Sequence, residues 1–416
     1  MVVLFDVSAW EYLRTPPIVA SVDLERDGLA ATLPECLRLL ASADSPRKNA
    51  REAEAAVVGR LLGDLKGLSL PVHVMCDAPC SEHRSDLVHV HRLPAGFPRS
   101  YLEPIGGGLH VPMPEAAVCL HGQHRGVAAV AKMVYEACGV FALCPQNERV
   151  RLATRQLEAA GLIGRGCIAP DQRIYAYHGE DGRPLGFLDG EGEPLPWEPC
   201  YDRRGVLTDL WRRPPLTSVE AIAGVARGLR GTRYLSAVER ALGMCRNGAA
   251  SPAEAKAAMV TCFDAHSGGE GWGFPKLNMR IPFSSEAQRL AGRSCAVADC
   301  LWEREKVDFE VNGMAFHADA EGFLVETGRR PALESMGYKV FEVTPAQMAD
   351  LETLETMLEN FSRQTGMPLK RRTVAFLKAR KRLHEELFGR PYEPVWDGAR
   401  RRKNEPRKGM GRRRGA

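Results

Sequence analysis

Asp299, Asp308, Glu310, Asn312 and His317 fall within nineteen positions of one another, in a stretch that otherwise reads as two apolar strands. Asp299 interrupts A-V-A-D-C-L-W (296–302), and Glu310 lies in V-D-F-E-V-N-G (307–313). An apolar strand tolerates a carboxylate only if that group is paired or bound to a cation. Asp308, Glu310 and Asn312 share one strand face by the period of two. Carboxylates on adjacent strands of a hairpin can hold a hard cation such as Mg²⁺ or Mn²⁺ through oxygen ligands. Such an ion polarises a phosphodiester and lowers the pKa of an attacking water. His317, beyond the second strand, has the pKa range to move a proton. A solvent-facing strand edge decorated with charges accounts for the same pattern without any chemistry.

The elements that must position these residues follow from periodicity. Ser251-Pro252-Ala253-Glu254 opens a helix to about Phe263, with Ser251 as cap, Pro in the first turn and Glu254 at the capping-box position. Strands are expected over Leu277–Phe283, around Asp299 and around Glu310. A helix follows over Gly322–Met336 and a strand over Tyr338–Val343, giving the order α-β-β-β-α-β. Upstream, helices are expected over 218–229 and 233–244. The first 165 residues read as an α/β domain: helices over Val7–Arg14, Leu33–Leu40, Ala50–Leu62, Val127–Cys138 and Val150–Leu162, strands at Leu70–Met75, Asp86–Leu93 and Leu109–Pro112, and a helix from Pro114. Residues 166–215 are rich in Gly, Pro and Asp, with tight-turn dipeptides at Asp181-Gly182 and Asp189-Gly190. Two short hairpins around Tyr175 and Phe187 fit, as a linker ribbon or a substrate-contacting insertion. The expected division is therefore 1–165, 166–215, 216–365 and 366–416, in an α/β (mixed α+β) class.

The last division is basic. A helix over 369–388 carries Lys370, Arg371, Arg372, Lys378, Arg380 and Lys381, and the tail carries Arg400, Arg401, Arg402 and Lys403. The tail's Gly, Pro and Arg content precludes a packed core. Such blocks act as nucleic-acid arms, binding through phosphate neutralisation with strong salt dependence, or simply as solubilising tails. The rest of the composition is unremarkable: 416 residues, net charge +4, 44% hydrophobic, with twelve scattered cysteines. That cysteine usage, with no secretory signal or membrane-length apolar run, points to a soluble, cytoplasmic protein. Cys76, Cys80 and His83, with His89 and His91 nearby, have off-pattern spacing for zinc, and two strands with a polar loop account for them equally.

Asp299, Glu310, Gly313, His317 and the L-x-x-x-G-Y-x-V run from Leu333 to Val340 resemble the PD-(D/E)xK nuclease superfamily, and within it the very-short-patch-repair-like branch. The resemblance covers about a quarter of the chain, Ser251 to Thr344. It implies a restriction-endonuclease-like fold in which Asp299 and Glu310 bind Mg²⁺ or Mn²⁺, His317 handles the proton, Glu254 reaches the site from its helix and Glu326 fills a late acidic position. Two departures stand out. The superfamily's lysine is Asn312 here, and the late Asp is a Glu. Residues Val7–Arg14 and Leu109–Ala116 more loosely resemble the AbiEi antitoxin family, implying an antitoxin-like domain before the nuclease-like one, an arrangement suited to bacterial defence. The winged helix of that family has no clear counterpart. The expectation is a metal-dependent endonuclease acting on nucleic acid, DNA by the resemblance. The alternatives are a non-catalytic nucleic-acid-binding regulator or antitoxin-like protein on a degenerate nuclease fold, and a protein-interaction module.

Overall fold

The computed structural model describes residues 1–22, 68–69, 71–76, 83–84, 88–106, 109–122, 125–164, 174–178, 184–188, 197–202, 204–229, 235–311 and 320–389. The class is mixed α/β, as expected. The helices expected over Leu33–Leu40 and Ala50–Leu62, the Asp181-Gly182 and Asp189-Gly190 turns, Cys80, Asn312, Gly313, His317 and the arginine tail lie outside the described residues.

The N-terminal sheet is built on β1 (Val2–Leu4), which leads directly into α1 (Asp6–Arg14) and then α2 (Pro17–Ser21). With β2 (Val72–Cys76), β3 (His83–Arg84), β4 (Val88–Arg92), β5 (Leu102–Gly106) and β6 (Leu109–Pro112) it forms a mixed sheet in the order β3-β4-β2-β1-β6-β5. Alternation explains its packing. Val2, Leu4, Val72, Val74, Val88 and Val90 bury one face with Ala9 of α1. His73 and His89 are register partners. The His73 and His91 rings meet, Nδ1 to Nε2, at 3.2 Å. Helices α3 (Pro114–Gly122) and α4 (Val127–Ala137) follow, then β7 (Phe141–Leu143) and α5 (Glu148–Ala159).

The region 166–215 contributes two pieces. Strands β8 (Ile174–His178) and β9 (Pro184–Leu188) pair with each other. The two hairpins expected around Tyr175 and Phe187 are therefore one ribbon. Strands β10 (Glu198–Tyr201) and β11 (Leu207–Arg212) join β7 in a three-stranded sheet, order β10-β11-β7.

The C-terminal half runs α6 (Val219–Gly228), α7 (Ser236–Gly243), α8 (Pro252–Cys262), β12 (Lys276–Pro282), α9 (Ser285–Ala291), β13 (Cys295–Trp302), β14 (Val307–Val311), α10 (Ala320–Ser335), β15 (Lys339–Val343), α11 (Pro345–Ala349), α12 (Leu351–Thr365) and α13 (Val374–Phe388). The sheet order is β12-β13-β14-β15, antiparallel until the parallel β14–β15 pair. Two details differ from expectation. A seven-residue helix, α9, intervenes between the first two strands, capped by the Ser284 hydroxyl on the Ala287 N–H and ended by left-handed Gly292. The basic helix starts at Val374 rather than Leu369, where the Thr373 hydroxyl accepts the Phe376 N–H.

One hydrophobic core runs through both halves, from Val3, Trp10 and Tyr135 to Phe263, Trp302 and Phe361. Helix α4 is central to it. The Lys132 ammonium of α4 is buried and donates to the Glu386 carbonyl of α13 at 2.6 Å. The core therefore crosses the divisions drawn at residues 165 and 216.

Candidate active site

A tight turn sets the geometry. The Lys306 N–H closes on the Glu303 carbonyl at 3.2 Å, with Lys306 left-handed at φ +51°. This fixes the β13–β14 register, with Cys300 opposite Phe309 and Leu301 opposite Asp308. The pairing ends at Cys300 and Phe309, so Asp299 and Glu310 are the residues immediately beyond it on the two strands. Asp299 Oδ2 accepts the Val311 N–H at 2.8 Å, which holds it across the two strands.

Helix α8 brings a third carboxylate. The Ser251 hydroxyl caps the Glu254 N–H at 3.2 Å. The Glu254 carboxylate does not close a capping box on the Ser251 backbone N–H. Its Oε2 accepts from the Ala250 N–H at 2.8 Å and from the Asn278 amide at 2.6 Å. Asn278 sits between Leu277 and Met279, which pair with Cys300 and Ala298, so it opposes Asp299 on the other side. It adopts φ +49°, a left-handed conformation that asparagine tolerates better than most residues. Its amide also donates to the Gly248 carbonyl at 2.9 Å. Asn278 is thus a bracket between the edge strand and Glu254.

The described cation of the cluster is Arg329 of α10. Its guanidinium donates to Glu310, to Asp308 Oδ2 at 3.3 Å and to the Val297 carbonyl at 2.7 Å. Gly328 permits this approach. A Cβ there would fall 2.6 Å from the Leu290 carbonyl oxygen, so only glycine lets α10 lie this close to α9.

Among the described residues, four acids and one guanidinium lie together at low exposure. Asp299 is only partly covered, while Asp308 and Glu310 are buried. Burial raises the Asp299 pKa well above the carboxylate range, and the charges of Glu310 and Glu254 add to the rise. Burial also raises Glu254, against the hydrogen bonds from Ala250, Asn278 and Ser251. Asp308 is raised by burial and by its hydrogen bond to Glu310. Burial alone would lower the Arg329 pKa, but the Glu310 charge and hydrogen bond outweigh it and the net shift is upward. Asp308 Oδ1 is buried without a hydrogen-bond partner.

This donor set fits a hard divalent ion in chemistry, being all carboxylate oxygen with charge to spare. As the side chains stand, no three His, Cys, Asp or Glu among the described residues are arranged to hold a metal. The reason is visible in the bonds above. Val311 engages Asp299, Asn278 engages Glu254 and Arg329 engages Glu310, so loading an ion requires these side chains to turn.

The other expected site residues are placed as follows. Glu326 lies on α10. Lys370, Arg371, Lys378 and Lys381 are exposed on or just before α13. Arg380 faces inward, its side chain 2% exposed, bonded to Glu270 and, at 3.2 Å, to Glu355. Arg372 bonds the same two acids at 2.9 and 2.8 Å. These two arginines are engaged within the fold, unlike the lysines beside them. Arg329 and Asn278 are site residues that sequence reading passes over. Arg329 had no spacing signal, while Asn278 had one faint cue, an Asn inside an apolar run. No disulfide joins the described cysteines, and no described helix is long and apolar enough to cross a membrane.

Compared with family models, with curated proteins and with solved structures, the chain matches none.

Proposed function

We propose that the chain is a metal-dependent endonuclease that hydrolyses phosphodiester bonds of nucleic acid, with DNA as the substrate implied by the very-short-patch-repair-like resemblance and bacterial defence as its setting. The observation that carries this reading is the convergence of acids where the β13–β14 pairing ends: Asp299 and Glu310 lie just beyond the last paired residues, the Asp299 carboxylate takes the Val311 N–H, and Glu254 is held by Asn278 of the neighbouring β12. Buried carboxylates that raise one another's pKa are unfavourable for folding alone, and such sites are typically functional.

In this reading Asp299 and Glu310 hold Mg²⁺ or Mn²⁺, with Glu254 available as a further oxygen ligand. When bound, the ion supplies Lewis-acid polarisation of the phosphate and a lowered pKa for water. The chain's own residues do the rest. Val311 N–H and Asn278 orient the carboxylates, and Arg329 balances their charge from α10. His317, by the resemblance, takes or returns the proton. Asn312 in the lysine position can orient a water but adds no positive charge. Lys370, Lys378 and Lys381, with the tail arginines, supply a basic track for the phosphate backbone.

One observation favours a second reading, a nucleic-acid-binding regulator on a nuclease fold. A carboxylate the nuclease needs is already paired with Arg329. The two are separated by incubating the full chain with plasmid, single-stranded DNA and RNA, with Mg²⁺ or Mn²⁺ and with chelator, beside Asp299→Ala/Glu310→Ala. Metal-dependent cutting that the double variant loses, while its binding persists, establishes the nuclease. Binding without cutting under every metal establishes the regulator.

A further inference from the structure

We infer that Arg329 is a displaceable counter-ion, so that a divalent cation must take Glu310 from a guanidinium the protein itself supplies. The inference rests on the metal-site reading of Asp299 and Glu310 and deepens it into a rule for when the site loads.

Three observations support it. First, the described ion pairs of Asp308 and Glu310 are both with Arg329, whose side chain is only 7% exposed. The guanidinium therefore lies among the carboxylates rather than facing solvent. Second, Arg329 does not satisfy them. Asp308, with its side chain at 0% exposure, still has an oxygen with no partner. That partnerless oxygen leaves room for a further cation beside Arg329. Third, the described contacts of Arg329 to Glu310, Asp308 and the Val297 carbonyl all run from one terminal nitrogen, Nη2, so a single turn of the guanidinium releases Glu310. The helix behind it is fixed, since Gly328 lies against the Leu290 backbone. The required motion is a side-chain rotation within α10, not a movement of the helix.

Competition follows. An ion bound by Asp299 and Glu310 must displace the Arg329 contact to Glu310, and the ion's apparent affinity is reduced by the stability of that contact. Arg329 thereby keeps the site closed at low metal and neutralises Glu310 in the unloaded protein.

The test is binding of Mn²⁺ to the full chain, measured by calorimetry and by electron paramagnetic resonance. Wild type, Arg329→Gln, Arg329→Lys and Glu310→Gln are compared at one pH and ionic strength. Arg329→Gln is expected to bind Mn²⁺ about 10- to 100-fold more tightly, the range over which neighbours of metal ligands tune affinity. Arg329→Lys retains a charge, but as a strongly hydrated ammonium on a flexible stem that holds Glu310 less firmly than the guanidinium, so it is expected to bind several-fold more tightly than wild type. Glu310→Gln is expected to lose the site. If Arg329→Gln does not fold, as judged by circular dichroism, Arg329→Lys decides alone. Unchanged or weaker Mn²⁺ binding in the folded Arg329 variants, with normal binding in wild type, overturns the counter-ion role and leaves the metal site standing. Absence of Mn²⁺ binding in every protein overturns the metal site, and the inference with it.

Discussion

Two clusters of charge in the C-terminal half, among the described residues, are built on opposite principles. In one, Glu270 and Glu355 face Arg372 and Arg380, two acids against two bases. The Lys370 N–H adds a further bond to Glu270 at 2.9 Å. This network joins the loop after α8 to α12 and α13. In the other, Glu254, Asp299, Asp308 and Glu310 share a single described guanidinium, that of Arg329. Burial lowers the Arg380 pKa, but Glu270 and Glu355 oppose the fall. Burial raises the Asp299 pKa, and its strongest neighbours, Glu310 and Glu254, push it the same way. The balanced cluster compensates its own charge, although Glu355 Oε1, Arg372 Nη2 and Arg380 Nε and Nη1 are buried without a hydrogen-bond partner. An unbalanced one is complete only with a proton or a cation, and that is the physical distinction between a fastening and a site.

The largest expected effect tests the unbalanced side. Asp299→Asn keeps the shape and removes one repelling charge. Cleavage is expected to fall about a thousandfold, since loss of metal polarisation removes several kcal/mol of transition-state stabilisation. Denaturant unfolding should show the variant at least as stable as wild type. A variant that lost stability in step with activity would place Asp299 among the structural groups and collapse the distinction. The balanced side should respond in reverse. Glu270→Ala strands Arg380 with most of its charge uncompensated, and is expected to cost about 3–5 kcal/mol in chemical denaturation. Its Mn²⁺ affinity should match wild type.

The placement of Asp299 and Glu310 on neighbouring strands could be read in advance because the information is local: a short turn joins two apolar runs. Whether the two carboxylates face each other could not, since that depends on the register the turn adopts. The partners of those acids were hidden for equally physical reasons. Arg329 reaches Glu310 because Gly328 lets α10 settle onto Leu290, a tertiary contact with no periodic signature. Asn278 reaches Glu254 because its backbone is left-handed inside a strand, which alternation does not encode. Strand β1 is three apolar residues, too short to show a period, and its partner β2 lies about seventy positions away. The basic helix was visible as composition, but which of its arginines turn inward depended on acids contributed by other elements. Arg380 looked like an arm residue because Glu270 is 110 positions upstream.

Proton linkage sharpens the comparison further. The folded-state pKa of Asp308 is raised, so the folded chain holds a proton that the unfolded chain releases at about pH 4. Stability contributed by that cluster is present below the unfolded value and is lost as pH rises through the folded one. Asp308→Asn should remove this dependence. Thermal unfolding is expected to show little difference from wild type near pH 4 and a gain of about 1–2 kcal/mol for the variant near pH 7.5. A constant offset across that range would mean that Arg329 already compensates Asp308 in full.

The smallest effect separates the arginines of the network from the lysines that share their helix. Lys378 and Lys381 are exposed on α13, while Arg380 between them is buried against Glu270. If the exposed face contacts a phosphate backbone, each lysine removed should lower the slope of log affinity against log salt by about 1, with a few-fold loss of affinity near physiological salt. Lys378→Ala/Lys381→Ala should leave the unfolding midpoint within the ordinary scatter of surface substitutions. Arg380→Ala should do the opposite, lowering the midpoint sharply because Glu270 loses a buried partner. The result that sinks this division is a salt slope that changes with Arg380→Ala at preserved stability, for it would mean that the inward arginine leaves its acids to meet nucleic acid.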